Sequence, residues 1–195
     1  FAARMAGLLH DIGHAPFSHS GEAELFPEGL GHEDYSIAII DSSPIAGIIN
    51  TYSDKTGVTA KDVKDILAKQ GAYDAGFVTE LISSPWDVDK MDYLLRDSLY
   101  CGVEYGKYDL RRLLDTLTLD GGYQDGSLRL AIHEDGMHTI EALVIARYFM
   151  FTQVYFHDVR RAFDLVLAQF IGSCLKDEYG QRTYPPPDKI SEYLK

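Results

Sequence analysis

Residues 8–19 read LLHDIGHAPFSH, and the predicted site of the chain is built around this stretch. It places three histidines and one aspartate directly behind an apolar helical run. The adjacent His10 and Asp11 can offer an imidazole nitrogen and a carboxylate oxygen to one divalent ion. The plain alternative is a capping aspartate beside a buried, hydrogen-bonded histidine. The stretch therefore predicts a metal site with general acid/base groups beside it.

The composition indicates a soluble globular protein of about one domain. The 195 residues include 18 basic and 30 acidic side chains, which gives a net charge of −12. Such an acidic surface repels the phosphate backbone of nucleic acids, so nucleic-acid binding is not expected. A metal and a few cations can still attract a small phosphorylated ligand.

The cellular location is predicted from absences and from the cysteines. No apolar run reaches the roughly 20 residues of a membrane span, and no signal peptide precedes the first helix. The chain lacks an initiator Met, so we expect its natural N-terminus to lie upstream. Cys101 and Cys174 stand far apart in apolar helical surroundings and are expected to be buried free thiols. Free thiols favour a cytoplasmic protein.

The spacing of apolar residues predicts a mostly helical chain. We expect helices over residues 2–10, 22–26, 32–40, 44–52, 59–69, 75–83, 87–100, 109–117, from 136 to about 151, 157–175 and 188–194. Gly13 and Pro16 interrupt the first helical pattern, so residues 14–19 are predicted to form a loop or turn. Apolar segments around a glycine-rich stretch at 121–126 predict a small β-hairpin. The predicted fold class is an all-α bundle with a β-hairpin insert.

A second polar stretch, WDVDKMDYLLRD, covers residues 86–97. On a helix, Asp89, Tyr93 and Asp97 lie at i, i+4 and i+8 and share one face. The plain alternative is a charged, solvated helix. However, apolar residues on another face can supply the core contact, which leaves the polar stripe free to line a cleft.

Four strings occur in order along the chain: LLHDIGHAPFSH, HEDYS, DVDKMDYLLRDS and ARYFMFTQVYFH. Together they resemble the HD superfamily of metal-dependent phosphohydrolases. More narrowly, they are similar to SAMHD1-type and bacterial deoxynucleoside triphosphate (dNTP) triphosphohydrolases. The resemblance covers about residues 2–165. It implies an N-terminally incomplete HD-domain helical bundle over residues 1–184, followed by the start of a C-terminal extension over 185–195.

The resemblance also implies a ligand set for one divalent metal ion. In that family a histidine, the His-Asp pair and a distant aspartate hold the ion, which corresponds here to His10, Asp11 and Asp89. The remaining histidine is expected on a helix upstream of Phe1. A chain without this fourth ligand is expected to bind the ion more weakly and to be inactive or less active. Mg²⁺ or Mn²⁺ is the first expectation, and Fe²⁺, Zn²⁺ and Ni²⁺ also suit these ligand types.

The same resemblance implies the catalytic groups. It places His14 and His19 near the triphosphate, and His32 with Glu22 in an acid/base relay. Histidine titrates near neutral pH and can therefore act as acid or base in such a reaction. Taken individually, His19 and His32 are equally well explained as capping or buried structural residues.

Five further residues are implied to bind substrate. Lys90 and Arg147 would contact phosphates. Tyr93 would pack against the sugar where a 2′-hydroxyl would otherwise stand, and Asp97 would accept from the 3′-hydroxyl. Tyr155 would approach the base edge. For Arg147 and Tyr155 the plain alternative is ordinary helix surface and core.

The expected activity is metal-dependent hydrolysis of dNTPs to deoxynucleoside and inorganic triphosphate. Two alternatives stay open: an HD phosphohydrolase acting on nucleoside monophosphates or signalling nucleotides, and a non-catalytic nucleotide-binding protein. The expected partners are the dNTP, an activating nucleotide near Arg160 or Arg161, and further copies of the chain in a dimer or tetramer. Neither a membrane nor nucleic acid is an expected partner.

Overall fold

Helices form most of the described chain, as the apolar spacing predicts. The computed structural model describes residues 1–71, 76–121, 126–174, 184–192 and 194. The chain divides into two units, the first made of Phe1–Ala68 with Ala162–Lys195 and the second of Lys69–Arg161. One two-stranded sheet accompanies the helices in the part of the chain that is described. The predicted all-α fold with a small hairpin is confirmed.

The first unit contains most of the short helices. They are α1 (Ala2–Leu9), α2 (His19–Leu25), α3 (His32–Ser42), α4 (Pro44–Thr51), α5 (Ser53–Thr56), α6 (Ala60–Leu67), the greater part of α11 (Asp158–Cys174) and a 3₁₀ turn at Pro187–Glu192. Helix α6 begins with a reciprocal cap, because Asp62 N–H donates to the Thr59 hydroxyl and Thr59 N–H donates to the Asp62 carboxylate. Helix α2 begins earlier than predicted, and α5 was not predicted because a single polar turn carries no apolar period.

An aromatic cluster forms the core of the first unit. The rings of Phe26 and Tyr35 stack with centroids 4.1 Å apart, and Leu25 and Ile171 are buried beside them. The Tyr35 hydroxyl donates to the carbonyl of Pro185 at 2.8 Å. Burial raises the pKa of Tyr35 to about 12, so the hydroxyl remains a donor across the physiological range. The aromatic core thus also fixes the segment that leads into the last 3₁₀ turn.

The turn after α1 lies directly against the start of α3. Gly13 N–H donates to the Ser36 hydroxyl at 2.9 Å, and that hydroxyl donates to the His10 carbonyl at 2.5 Å. A Cβ atom at Gly13 would lie 2.2 Å from the His32 carbonyl oxygen and 2.4 Å from the Ser36 nitrogen. Only glycine therefore permits this approach between the two backbones.

The second unit combines longer helices with the hairpin. Its elements are α7 (Phe77–Ile82), α8 (Val88–Cys101), α9 (Leu110–Thr116), β1 (Leu117–Asp120), β2 (Arg129–Ile132), α10 (Met137–Met150), a π-helical turn (Phe151–Tyr155) and the first residues of α11. The strands are antiparallel, with Leu117 opposite Ile132. The predicted hairpin turn at 122–125, the helix start at Ala75 and the helix end at Leu175 lie outside the described residues. The core of this unit consists of Met91, Leu94, Leu113, Leu143 and Met150.

The prediction that both cysteines are buried is wrong. Cys101 and Cys174 are free thiols, as predicted, but both are exposed. Cys101 is the last residue of α8, and Cys174 is the last described residue of α11. Apolar neighbours along a helix do not reveal which of its faces another element covers, so the sequence pattern overestimated burial at both positions.

No described helix is both long enough and apolar enough to cross a membrane.

Replacing Gly13 with Ala is expected to lower the free energy of unfolding by about 1–3 kcal/mol, because the added methyl must displace the backbone of α3. Urea unfolding followed by circular dichroism measures the change. Gly47→Ala is the matched control, because a Cβ at this exposed helical position meets no atom within 4 Å. Alanine should stabilise α4 there by up to about 1 kcal/mol. Equal unfolding midpoints for the two variants would contradict the close approach at Gly13.

Candidate active site

Three chain segments of the first unit bring together the histidines that the sequence singled out. His10 and His14 lie in the turn after α1, His19 begins α2, and His32 begins α3. Phe17 and Ser18 adopt positive φ angles of 67° and 52°, which few non-glycine residues do. These two residues reverse the chain between the His10 turn and α2. Such unfavourable backbone persists where the surrounding structure requires it.

His10 is oriented as a metal-ligating histidine would be. Its Nδ1 lies 2.8 Å from the Gly7 carbonyl, so the ring proton resides on Nδ1 and is donated to that oxygen. The Nε2 atom lies 3.2 Å from Asp11 Oδ1. Ligating histidines commonly donate their other ring N–H in this way, which fixes both the tautomer and the ring orientation. The His10–Asp11 pair therefore fits the donor set of a divalent metal site.

The four predicted catalytic residues form one compact group, called here the histidine–glutamate cluster: His14, His19, Glu22 and His32. Glu22 Oε1 lies 2.6 Å from Nδ1 of His14, 3.3 Å from Nδ1 of His19 and 3.1 Å from Nδ1 of His32. Three imidazoles thus direct the same ring atom at one carboxylate oxygen. The prediction that these residues act together in catalysis has a geometric basis in this convergence.

The imidazoles of His14 and His32 also connect two carboxylates. Their rings stack with centroids 3.9 Å apart and an interplanar angle of 20°. On the side away from Glu22, their Nε2 atoms face Asp11 Oδ1 at 3.5 and 3.8 Å. Each ring therefore lies within proton-exchange distance of Glu22 on one edge and near the negative charge of Asp11 on the other.

The electrostatics of the cluster favour a neutral His14 imidazole beside an ionised Glu22 carboxylate. Burial lowers the pKa of His14, and the nearby His32 lowers it further, against the opposing effects of Asp11 and Glu22. Burial alone would raise the pKa of Glu22. The charge and hydrogen bond of His32, with smaller contributions from His19 and His14, outweigh burial, so the pKa of Glu22 is lowered. A neutral His14 can accept a proton near pH 7, as a general base must.

The histidine–glutamate cluster could itself hold a metal ion. Each of its four residues offers one donor atom, and these atoms lie within 4.8 Å of one another. Imidazole nitrogen and carboxylate oxygen are both common ligands of divalent ions.

In the second unit, the first turn of α8 carries two of the predicted site residues. Asp89 is half-buried there and remains a predicted metal ligand. Lys90 Nζ lies 2.6 Å from Oδ2 of the buried Asp87, whose Oδ1 also accepts from Lys90 N–H at 2.9 Å. Asp87 therefore caps the helix, and its ion pair with Lys90 was not predicted.

The other predicted substrate residues contact one another within the second unit. The Tyr155 hydroxyl donates to Asp97 Oδ2 at 2.5 Å, and burial together with this bond raises the pKa of Tyr155. The ring of Tyr155 lies edge-on to that of Tyr93, with centroids 6.1 Å apart. Burial raises the pKa of Tyr93 although a hydrogen bond with Arg147 opposes the change. The Arg147 guanidinium also lies 5.2 Å from the centroid of Phe151.

Two structural features of these sites were missed by sequence reasoning. Ser36 fixes the His10–Gly13 turn through the two hydrogen bonds described above. Its position four residues after His32 places both on the same face of α3, which was an available signal. The π-helical turn that contains Tyr155 has no comparable signal, since its residues continue the apolar pattern of α10. The Arg160 guanidinium donates to the Tyr155 carbonyl at 2.6 Å and so satisfies the end of this turn.

The family comparisons agree with the geometry of the His10–Asp11 turn. The family model described as HD domain matches residues 1–97, which include this turn and most of α8. The chain belongs to the HD-domain family. A second family model, described as HD associated region, matches residues 108–183 of this HD-domain chain.

Several known proteins are similar to this HD-domain chain. It is 38% identical over 167 residues to the uncharacterized protein YwfO of Bacillus subtilis, which covers 85% of this chain and 35% of that protein. It is 28% identical over 180 residues to the deoxynucleoside triphosphate triphosphohydrolase SAMHD1 homolog of Dictyostelium discoideum, covering 85% of this chain and 32% of that protein. The crystal structure of a hypothetical protein from Aquifex aeolicus is 34% identical, with a TM-score of 0.72 over 91% of this chain and 46% of that chain. The chain spans about a third of the length of these curated relatives.

Replacing Ser36 with Ala should lower the free energy of unfolding by about 1–3 kcal/mol, because the buried Gly13 N–H loses its acceptor. It should also weaken Mn²⁺ binding at the His10–Asp11 turn by about 10- to 100-fold, as losses of supporting hydrogen bonds do. Chemical unfolding and calorimetric Mn²⁺ titration measure the two effects. Ser173→Ala, at an exposed position of α11, is the control. Wild-type Mn²⁺ affinity in a destabilised Ser36→Ala variant would show that Ser36 does not orient the ligands.

Proposed function

We propose that this HD-domain protein hydrolyses dNTPs to deoxynucleoside and inorganic triphosphate in a metal-dependent reaction. The observation that carries the proposal is the convergence of three imidazoles on Glu22 Oε1 beside the His10–Asp11 pair. Hydrolysis of a phosphate ester needs both a base for water and an acid for the leaving oxygen, and such a group can supply both. The similarity to the Dictyostelium triphosphohydrolase homolog supports dNTPs as the substrate class.

The metal is assigned to His10, Asp11 and Asp89, with Mg²⁺ or Mn²⁺ as the expected ion. The family resemblance supports this ligand set, and the orientation of the His10 ring by the Gly7 carbonyl supports its first member. When bound, the ion supplies Lewis-acid activation of a phosphate oxygen.

The histidine–glutamate cluster would handle the protons of the reaction. Water attacks the α-phosphorus, and the bond to the 5′-oxygen of the nucleoside breaks. His14, whose pKa burial lowers, is suited to accept the proton of the attacking water. The exposed His19 is suited to protonate the departing 5′-oxygen, while Glu22 and His32 orient the two rings and return the proton between them.

The sugar specificity is assigned to the residues that contact one another in the second unit. Asp97 would accept a hydrogen bond from the 3′-hydroxyl. The Tyr155 hydroxyl donates to Oδ2 of the same carboxylate and so fixes its orientation. The Tyr93 ring would occupy the space that a 2′-hydroxyl requires, which favours deoxyribose. Arg147 and Lys90 are assigned to phosphates, and Tyr155 to the base edge.

Some aspects of the biology stay predictions. They are the division into an HD domain over residues 1–184 and a C-terminal extension from 185, cytoplasmic location, assembly into a dimer or tetramer, and an activating nucleotide near Arg160 or Arg161.

Incubation of the full-length protein with dGTP or dATP and Mn²⁺ or Mg²⁺ should release deoxynucleoside and inorganic triphosphate in equal amounts. Ion-exchange chromatography and ³¹P NMR identify the products. Glu22→Gln should lower kcat by about 100-fold or more, the usual contribution of general acid/base groups. His138→Asn, at an exposed histidine that pairs with Glu141, is the control. Release of a deoxynucleoside monophosphate, or thermal stabilisation by dNTPs without any product, would refute the proposed reaction.

Replacing Tyr93 with Ala should open space for a 2′-hydroxyl and lower the preference for dGTP over GTP by about 10-fold or more. The ratio of kcat/KM for the two nucleotides measures the preference. Tyr100→Ala is the matched control, because Tyr100 lies on the same helix with 84% of its surface exposed. An unchanged ratio in Tyr93→Ala would remove Tyr93 from sugar selection and favour a different nucleotide substrate.

A further inference from the structure

We infer that the histidine–glutamate cluster is a second, transition-metal site, selective for Zn²⁺ over Mg²⁺ and distinct from the His10–Asp11 site. Its occupation would switch the enzyme off. The binding half of this inference stands on the geometry of the cluster alone. The inhibitory half rests on the proposed function, since it assumes that the cluster handles protons during hydrolysis.

The distances from Glu22 to the imidazoles are close to those between neighbouring ligand atoms of a tetrahedral zinc ion. With bonds of about 2.0 Å to nitrogen and oxygen, neighbouring ligand atoms of such a site lie about 3.3 Å apart. Glu22 Oε1 already lies 3.3 Å from His19 Nδ1 and 3.1 Å from His32 Nδ1. Only its 2.6 Å separation from His14 Nδ1 is a hydrogen-bond distance that must lengthen. Small rotations of the Glu22 carboxylate and of the imidazoles, whose donor atoms lie within 4.8 Å of one another, would admit an ion among the four donors.

The donor types select the metal. Three imidazoles and one carboxylate form a nitrogen-rich set that suits Zn²⁺, whereas Mg²⁺ prefers oxygen ligands in an octahedron. The ligand set proposed for the other site, His10 with Asp11 and Asp89, has one nitrogen-donor and two oxygen-donor residues, so it accepts Mg²⁺ more readily. The two neighbouring sites should consequently be distinguishable by titration with different ions.

The surroundings of the cluster support ligation through Nδ1. When Nδ1 of a histidine binds a metal, its ring proton resides on Nε2 and commonly meets a carboxylate or carbonyl oxygen. The Nε2 atoms of His14 and His32 both face Asp11 Oδ1, which supplies such an acceptor. The side chains of His14, Glu22 and His32 are only 15–18% exposed, whereas that of His19 is 73% exposed. An ion can therefore enter from solvent past His19 and reach a largely desolvated site.

Occupation of the cluster would consume the groups that the reaction needs. A bound ion occupies the Nδ1 lone pairs of the three histidines and the carboxylate of Glu22, so these atoms are no longer available to pass protons between the rings and the carboxylate. Zn²⁺ should then inhibit an enzyme that Mg²⁺ supports, without competing for the His10–Asp11 ligands.

The test titrates the full-length, Mg²⁺-loaded protein with Zn²⁺ and follows binding by calorimetry and by metal analysis after desalting. Co²⁺ absorption serves as a second probe, because tetrahedral coordination gives strong visible bands. The cluster variants are His19→Asn, Glu22→Gln and their double variant. His10→Asn perturbs the other site without removing a neighbour of the cluster, and His138→Asn is the surface control. Circular dichroism and thermal unfolding confirm that each variant is folded.

We expect a Zn²⁺ equivalent that persists in His10→Asn and His138→Asn but whose affinity falls by at least about 10-fold in each single cluster variant and further in the double variant. The tetrahedral Co²⁺ bands should disappear with it. Retention of that equivalent in the double variant, or its absence from the wild type, would overturn the site. Zn²⁺ binding at the cluster without loss of Mg²⁺-supported turnover would overturn the inhibitory role. If no dNTP is hydrolysed under any condition, the proposed function fails, while the binding result still decides the metal site.

Discussion

The contact between Gly13 and the first turn of α3 is the constraint on which the first unit depends. Two backbones approach so closely there that a methyl group at Gly13 would overlap the His32 carbonyl. The Ser36 hydroxyl stabilises the contact, because it accepts a hydrogen bond from Gly13 N–H and donates one to the His10 carbonyl. Because His32 begins the same helix turn, this packing also fixes its imidazole against that of His14. A backbone contact thus determines the geometry of the polar site.

The polar site itself is a balance between burial and charge. Stacked imidazoles stand between the carboxylates of Asp11 and Glu22, and each carboxylate offsets part of the cost of burying the rings. The same convergence has two chemical consequences. The nitrogen lone pairs can take up protons when no ion is bound, or they can bind a tetrahedral ion, but they cannot do both at once. An enzyme built in this way would be sensitive to the identity of the available metal as well as to its amount.

In the second unit a π-helical turn, rather than a close backbone contact, positions the polar groups. The π-helical turn follows α10 and contains Tyr155, whose hydroxyl donates a hydrogen bond to Asp97 of α8. π-Helical turns are rare and occur frequently at functional sites. Arg160 satisfies the carbonyl of Tyr155 at the end of the turn. The arrangement joins Asp97 to a tyrosine whose hydroxyl keeps its proton, because burial raises the pKa of Tyr155.

The sequence by itself determined the class of fold and the family, and it predicted the residues of the site. Apolar periodicity, glycines and capping residues act locally, so they revealed most helices, the hairpin and the turn at Gly13. The ordered motifs around His10 and Asp89 indicated the family. Only the tertiary structure decided which donor atoms converge on Glu22 and that Lys90 pairs with Asp87. It also decided that Cys101 is exposed. The physical reason is that these properties depend on which helix faces meet, and residues distant in sequence set those contacts.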